Sequence, residues 1–167
     1  TEVPTWKPEM INDAFEQDDL YVEMTFLRTL QIYGYDVPIQ QAGIDFANSQ
    51  YPPWHANVAG RFNLRQGIAP PDSGHPKFNS HADDIDYQIE SDFAGLISPG
   101  LPNHAVFLGN TFGRLMNYGD GLYGGQFVAA LYALAFTETD MTKLITAALA
   151  YIPAESQYAQ AIRDVLT

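Results

Sequence analysis

Two adjacent aspartates, Asp18 and Asp19, stand in the stretch FEQDDLYVEMTFLRTL, directly before an apolar run that reads as a helix. Aspartate at a helix start caps free N–H groups and sits at the positive end of the helix dipole, the common reason for finding it there. The pair is also open to a second chemistry. Successive helical residues diverge by about 100°, but the first residue is not yet helical, so its carboxylate can swing toward its neighbour's. Converging carboxylates suit a hard dication such as Mg2+, which takes oxygen ligands and keeps water in its shell.

A second acidic group follows in HADDIDYQIESD: Asp83, Asp84, Asp86, Glu90 and Asp92. Asp83 or Asp84 can cap the helix that begins there. Asp86 and Glu90 lie one turn apart and repel each other unless solvent or a cation separates them; a solvated helix face accounts for them without any site. His75 and His81, in the preceding loop, are candidate ligands or bases, although a lone loop histidine is more often neither. A third feature is NYGDGLYGG, residues 117–125, with more glycine than one turn requires. Glycines let backbone amides approach a ligand, and the helix behind them offers an N-terminus suited to phosphate. The pattern is not a Walker loop, having no Gly-Lys-Ser/Thr. It is not a dinucleotide fingerprint either, since no strand precedes it.

The elements that must position these residues are helical throughout. From Asp19 onward, Leu20, Met24 and Leu27 fall on one stripe, and Val22, Phe26, Leu30 and Tyr33 on another. Such a helix is expected to be buried. Gly34 is its stop signal. Residues 40–48 read as a short helix that Pro52 and Pro53 prevent from continuing. Residues 60–83, rich in proline and glycine, read as a long functional loop. DIDYQIESDFAGLI reads as one helix burying Ile85, Ile89, Phe93 and Leu96, closed by SPGLP. QFVAALYALAF, residues 126–136, is apolar on every side and reads as a central, close-packed helix. TETDMTKLITAALAYIP gives a helix ended at Pro153, and AESQYAQAIRDVL a last one with Ser156 or Glu155 near its start. Residues 1–10, with Pro4 and Pro8, read as an extended lead-in. No period-two alternation and no repeat is visible. The expected fold is all-α, a compact multi-helix bundle forming a single domain over residues 1–167.

Composition narrows the function classes. The chain has 167 residues, 46% of them hydrophobic and 13% aromatic, enough for the core of one domain. Twenty acidic against eight basic residues give a formal charge of −12. That surface repels a phosphate backbone, so nucleic-acid binding through a basic patch is not expected. An anionic substrate would need a local cation or a bound metal. With no cysteine, disulfides, thiolate metal sites and cysteine nucleophiles are excluded. No apolar run reaches the roughly 18 residues of a membrane span, and no signal peptide is visible. The compartment stays open, cytoplasmic or exported. The chain starts at threonine, so the expectation is that an upstream segment has been removed.

Taken together, the three features resemble the ADP-ribosylglycohydrolase family, in a bacterial branch to which HADDIDYQIESDFAGLISPGLP is similar. EQDDLYVEMTFLRTL resembles the family's metal-binding Thr-Asp-Asp-Thr helix start. MNYGDGLYGGQFVAALYALA is similar to its Ser-Tyr-Gly-Asn-Gly loop before a buried helix. ALAYIPAESQYAQAIRDVL resembles its helix–Pro–Ser–helix element. The resemblance implies an all-α fold around two Mg2+ or Mn2+ ions and hydrolysis of an ADP-ribose glycosidic bond. It implies Gln17, Asp18 and Asp19 as metal ligands, Asp18 and Asp19 as the catalytic carboxylates, and Asn117, Tyr118, Gly119, Asp120 and Gly121 as contacts to the ADP-ribosyl substrate. Gln17 stands where the family has threonine, and Gln126-Phe127 where it has Met-Arg. The family's N-terminal GDALG-like helix and C-terminal Asp-x-Asp-Thr are absent. The chain is therefore expected to be an internal piece of a longer protein, or one whose partner chain supplies the missing metal ligands. Two further readings stand beside the metal-dependent hydrolase: a catalytically inactive ADP-ribose- or nucleotide-binding relative, and a metal-free glycosidase using paired carboxylates from the Asp84, Asp86 and Glu90 group.

Overall fold

The computed structural model describes Lys7 and residues 17–166. Apart from Lys7, the lead-in expected for residues 1–10 lies outside the described residues. The elements are α1 (Asp18–Tyr33), α2 (Ile39–Asn48), α3 (His55–Arg65), α4 (Asp86–Glu90), α5 (Asp92–Leu96), α6 (Pro102–Phe112), α7 (Gly119–Leu134), α8 (Met141–Ala148) and α9 (Gln157–Leu166). Short 3-10 turns lie at Asp72–Gly74, Gly113–Leu115 and Leu149–Tyr151. No strand occurs among the described residues, so the chain is all-α. None of the helices found there is long and apolar enough to cross a membrane.

α7 is the hub, packing on α4, α5 and α6 on one side and α8 on the other. Its small residues make this possible. A Cβ added at Gly125 would lie 2.2 Å from the Tyr87 ring, and one at Gly121 would lie 2.7 Å from the Ala82 carbonyl. The glycine-rich stretch therefore lets the first turns of α7 press directly against the 82–88 segment. Phe26 of α1 anchors the larger core, its ring 4.6 Å from Phe112 and 5.8 Å from Phe46. A second core joins Phe127 and Ala130 of α7 to Ala148, Ile152 and Ala159.

The structure corrects several expectations, each for a packing reason. α1 buries only its second stripe, Val22, Phe26 and Leu30; Leu20, Met24 and Leu27 of the first are exposed, as is Tyr33. α1 packs chiefly on α2 and α4 and inserts Phe26 between Phe93 and Phe112, so one face suffices. The helix expected over residues 84–97 is broken at Ser91 into α4 and α5 and turned around. Of the four positions expected inside, Phe93 is buried while Ile85, Ile89 and Leu96 face outward, and Asp86, Tyr87, Glu90, Ala94 and Gly95 are buried in their place. The close approach to α7 demands this: a Cβ at Gly95 would sit 2.5 Å from the Ala129 carbonyl, so only glycine's face can meet α7 there. Helices α3 and α6 occupy stretches read as loop or left unassigned.

Candidate functional site

The starts of α1, α3 and α4 meet at one cavity of about 250 Å³, lined by Asp18, Asp19, Trp54, His55, Ile85, Asp86 and Ile89. Three carboxylates thus converge where helix N-termini offset part of their mutual repulsion. Asp18 does not cap its own helix, which has no side-chain cap. Instead its Oδ2 accepts the backbone N–H of Trp54 at 2.7 Å, stitching α1 to the residue that precedes α3. That bond leaves the Asp18 side chain buried and fixed. Asp19, half-buried, has its pKa raised to about 6, first by burial and then by repulsion from Asp18 and Asp86, with His55 pulling the other way.

Behind the cavity lies a buried acidic floor. Asp86 is 4% exposed; its Oδ1 accepts the Asn57 N–H at 3.1 Å, and its Oδ2 has no hydrogen-bond partner. Burial raises its pKa, against the pull of backbone N–H groups. Glu90 is wholly buried, and its Oε1 accepts the Asn57 Nδ2. Burial holds its pKa well above the carboxylate range, and its Oε2 is also unpartnered. Glu23, one turn after Asp19, is pushed up to about 7 by burial and by Asp92 and Asp19. Buried acceptors with no donor call for a proton, a water or a cation. Asp86 and Glu90, which as neighbours on a helix suggested a solvated face, both point into the protein. Being sealed off, Glu90 does not touch bulk water, so of the Asp84, Asp86 and Glu90 group only Asp86 lines this cavity.

Gln17 lies exposed just before α1 and makes no side-chain cap. The 117–121 residues are largely committed within the protein. The buried Asn117 side chain donates to the Ala82 and Asp84 carbonyls at 2.9 and 2.8 Å and accepts the Tyr87 N–H at 3.0 Å, using its capacity to clip the 82–87 segment to the start of α7. Tyr118 sets its ring edge-on to His75, with centroids 4.7 Å apart. Gly119 takes φ +55 next to Asp83, and Gly121 is the close approach already described. Asp120 Oδ1 accepts the Tyr158 N–H at 2.9 Å and Ser156 Oγ the Ala159 N–H at 3.1 Å, so together they satisfy two free donors at the start of α9. Asp120→Ala is accordingly expected to lower stability by about 1 kcal/mol, read as a shifted denaturant midpoint. An unchanged midpoint would remove Asp120 from this capping role.

The residues that sequence reasoning missed are Trp54 and His55. No local signal marks them: they enter through α3, whose inward positions include the polar Asn57, Arg61 and Asn63 and so hide its periodicity. His55 itself has φ +40, a left-handed conformation at the first turn of a helix. Compared with known proteins, the chain matches no family model, no curated protein and no solved structure.

Proposed function

We propose that this protein is a divalent-cation-dependent hydrolase that cleaves a glycosidic bond to ADP-ribose or a related ribosyl group. The observation that carries the metal half of the reading is the convergence of Asp18, Asp19 and Asp86 on one cavity, with the buried Asp86 Oδ2 lacking any donor. An all-oxygen set of this kind fits Mg2+ or Mn2+. Asp18, tied down by the Trp54 N–H, is the rigid ligand. Bound there, the cation would supply a Lewis acid that orients ribose hydroxyls and water. Asp19, the half-buried carboxylate of the three, lines the cavity where it can accept a proton from water. The substrate class comes from the sequence resemblance. A second reading, binding of an ADP-ribosyl ligand without turnover, is favoured by Gln17 and by Gln126-Phe127, which stand where the resembled family has a metal-binding threonine and Met-Arg.

Calorimetric titration of the intact protein with Mg2+ and Mn2+ tests the cation. Saturable binding is expected, weakened about tenfold or more by Asp18→Asn, because the number of charged ligands sets affinity. Absence of binding, or binding indifferent to Asp18→Asn, overturns the reading.

A further inference from the structure

We propose a second, chemically different cation site formed by His55, Asp84 and Asp86, selective for a borderline transition-metal dication such as Zn2+ over Mg2+. One ligand atom from each of the three residues lies within 4.8 Å of the other two. The second observation is Asp86: 96% of its surface is removed from solvent (it is 4% exposed), its Oδ1 is satisfied by the Asn57 N–H, and its Oδ2 has no partner. A buried carboxylate oxygen left bare in this way has the full cost of desolvation and no compensating donor. A bound dication would offset that cost by accepting the oxygen as a ligand.

The donor set decides which dication. Imidazole nitrogen with two carboxylates suits Zn2+ and its neighbours, whereas Mg2+ prefers oxygen alone. Three protein ligands leave one tetrahedral position open for water, the arrangement of an exposed and reactive zinc rather than a closed structural one. Bonds of about 2.0–2.1 Å at tetrahedral angles place ligand atoms roughly 3.3 Å apart. The residue free to make up the difference is His55, which is exposed at the first turn of α3. The other two are already held. Asp84 Oδ2 hydrogen-bonds His81 Nδ1 at 2.7 Å, and Asp86 is oriented by Asn57, the kind of outer partners that fix ligating carboxylates.

This site shares Asp86 with the cation site of the hydrolase reading and differs from it in requiring His55 and Asp84 and in not requiring Asp18. The test uses the intact protein stripped with chelator, titrated with Co2+ followed by visible absorption, then with Zn2+ in competition and by calorimetry. One equivalent of Zn2+ is expected to displace Co2+, and millimolar Mg2+ is not. His55→Ala, a change at an exposed position, and Asp84→Asn are each expected to weaken Zn2+ at least tenfold, with Asp18→Asn within threefold of the parent protein. Zn2+ affinity unchanged in His55→Ala and Asp84→Asn, no saturable Zn2+ binding, or an equal loss in Asp18→Asn overturns the proposal. None of these readouts depends on turnover, so loss of this site and failure of the hydrolase reading are distinguishable.

Discussion

The cation-free protein is expected to melt at a progressively higher temperature as the pH is lowered from about 8 toward 5, with the slope largely abolished by saturating Mn2+. The sign follows from the raised carboxyl groups. Asp19 moves from 3.8 unfolded to about 6 folded, and Glu23 from 4.5 to about 7. The folded chain therefore binds these protons more tightly than the unfolded one. Their contribution is fully present below the unfolded values and is lost as the pH rises through 6 and 7. Glu90, with its pKa raised by complete burial, acts in the same direction. General relief of charge repulsion on an acidic surface also favours lower pH, so the diagnostic comparison is Asp19→Asn with Glu23→Gln. That double variant should flatten the slope, and a slope unchanged by it contradicts the assignment. At about pH 8, dication at a hundredfold over its dissociation constant should add about 2.7 kcal/mol.

Asn57→Ala is expected to be the most damaging single change near the site, costing about 2–3 kcal/mol in equilibrium denaturation. Asn57 is fully buried, and its side chain provides the donor to Glu90 while its backbone N–H holds Asp86. Alanine keeps the backbone bond and strips Glu90 of that donor. Asn57→Asp separates the electrostatic part: it places another carboxylate beside Glu90, so its cost should grow between about pH 5 and pH 8. Glu90→Gln keeps an acceptor for Asn57 and removes the ionisable group, so it should be tolerated and should gain on the parent protein as the pH rises. If Asn57→Ala unfolds at the parent midpoint, the buried pair does not organise the acidic floor.

Much of this architecture was legible in the residues, and the failures have physical causes. Gly34 ends α1 at φ +82 with its N–H on the Leu30 carbonyl, as its position suggested. Of Ser156 and Glu155, both expected near the start of α9, it is Ser156 whose hydroxyl caps it. Gly119 to Gly125 announced a close approach, but what approaches is Tyr87 and the Ala82 carbonyl, which lie more than thirty residues away in the chain. No local pattern carries that. α3 was hidden because its buried positions Asn57, Arg61 and Asn63 are polar while Val58 and Phe62 are exposed, an inversion of the usual rule. α6 did carry a signal, Pro102 in its first turn, in a stretch whose pattern suggested only the close of the preceding helix. In the site, Asp18, Asp19 and Asp86 stood out as acidic clusters. Their meeting with His55 depends on the turn of α4 that buries Asp86 and leaves Ile85 and Ile89 outward.

Hydrolysis by the intact protein is measured as release of free ADP-ribose from a panel of ADP-ribosylated substrates, with Mn2+ or Mg2+ and with EDTA. Release is expected to require the dication and to fall about a hundredfold or more in Asp19→Asn, in line with the loss of a general base. Release undiminished by both EDTA and Asp19→Asn would contradict the hydrolase reading.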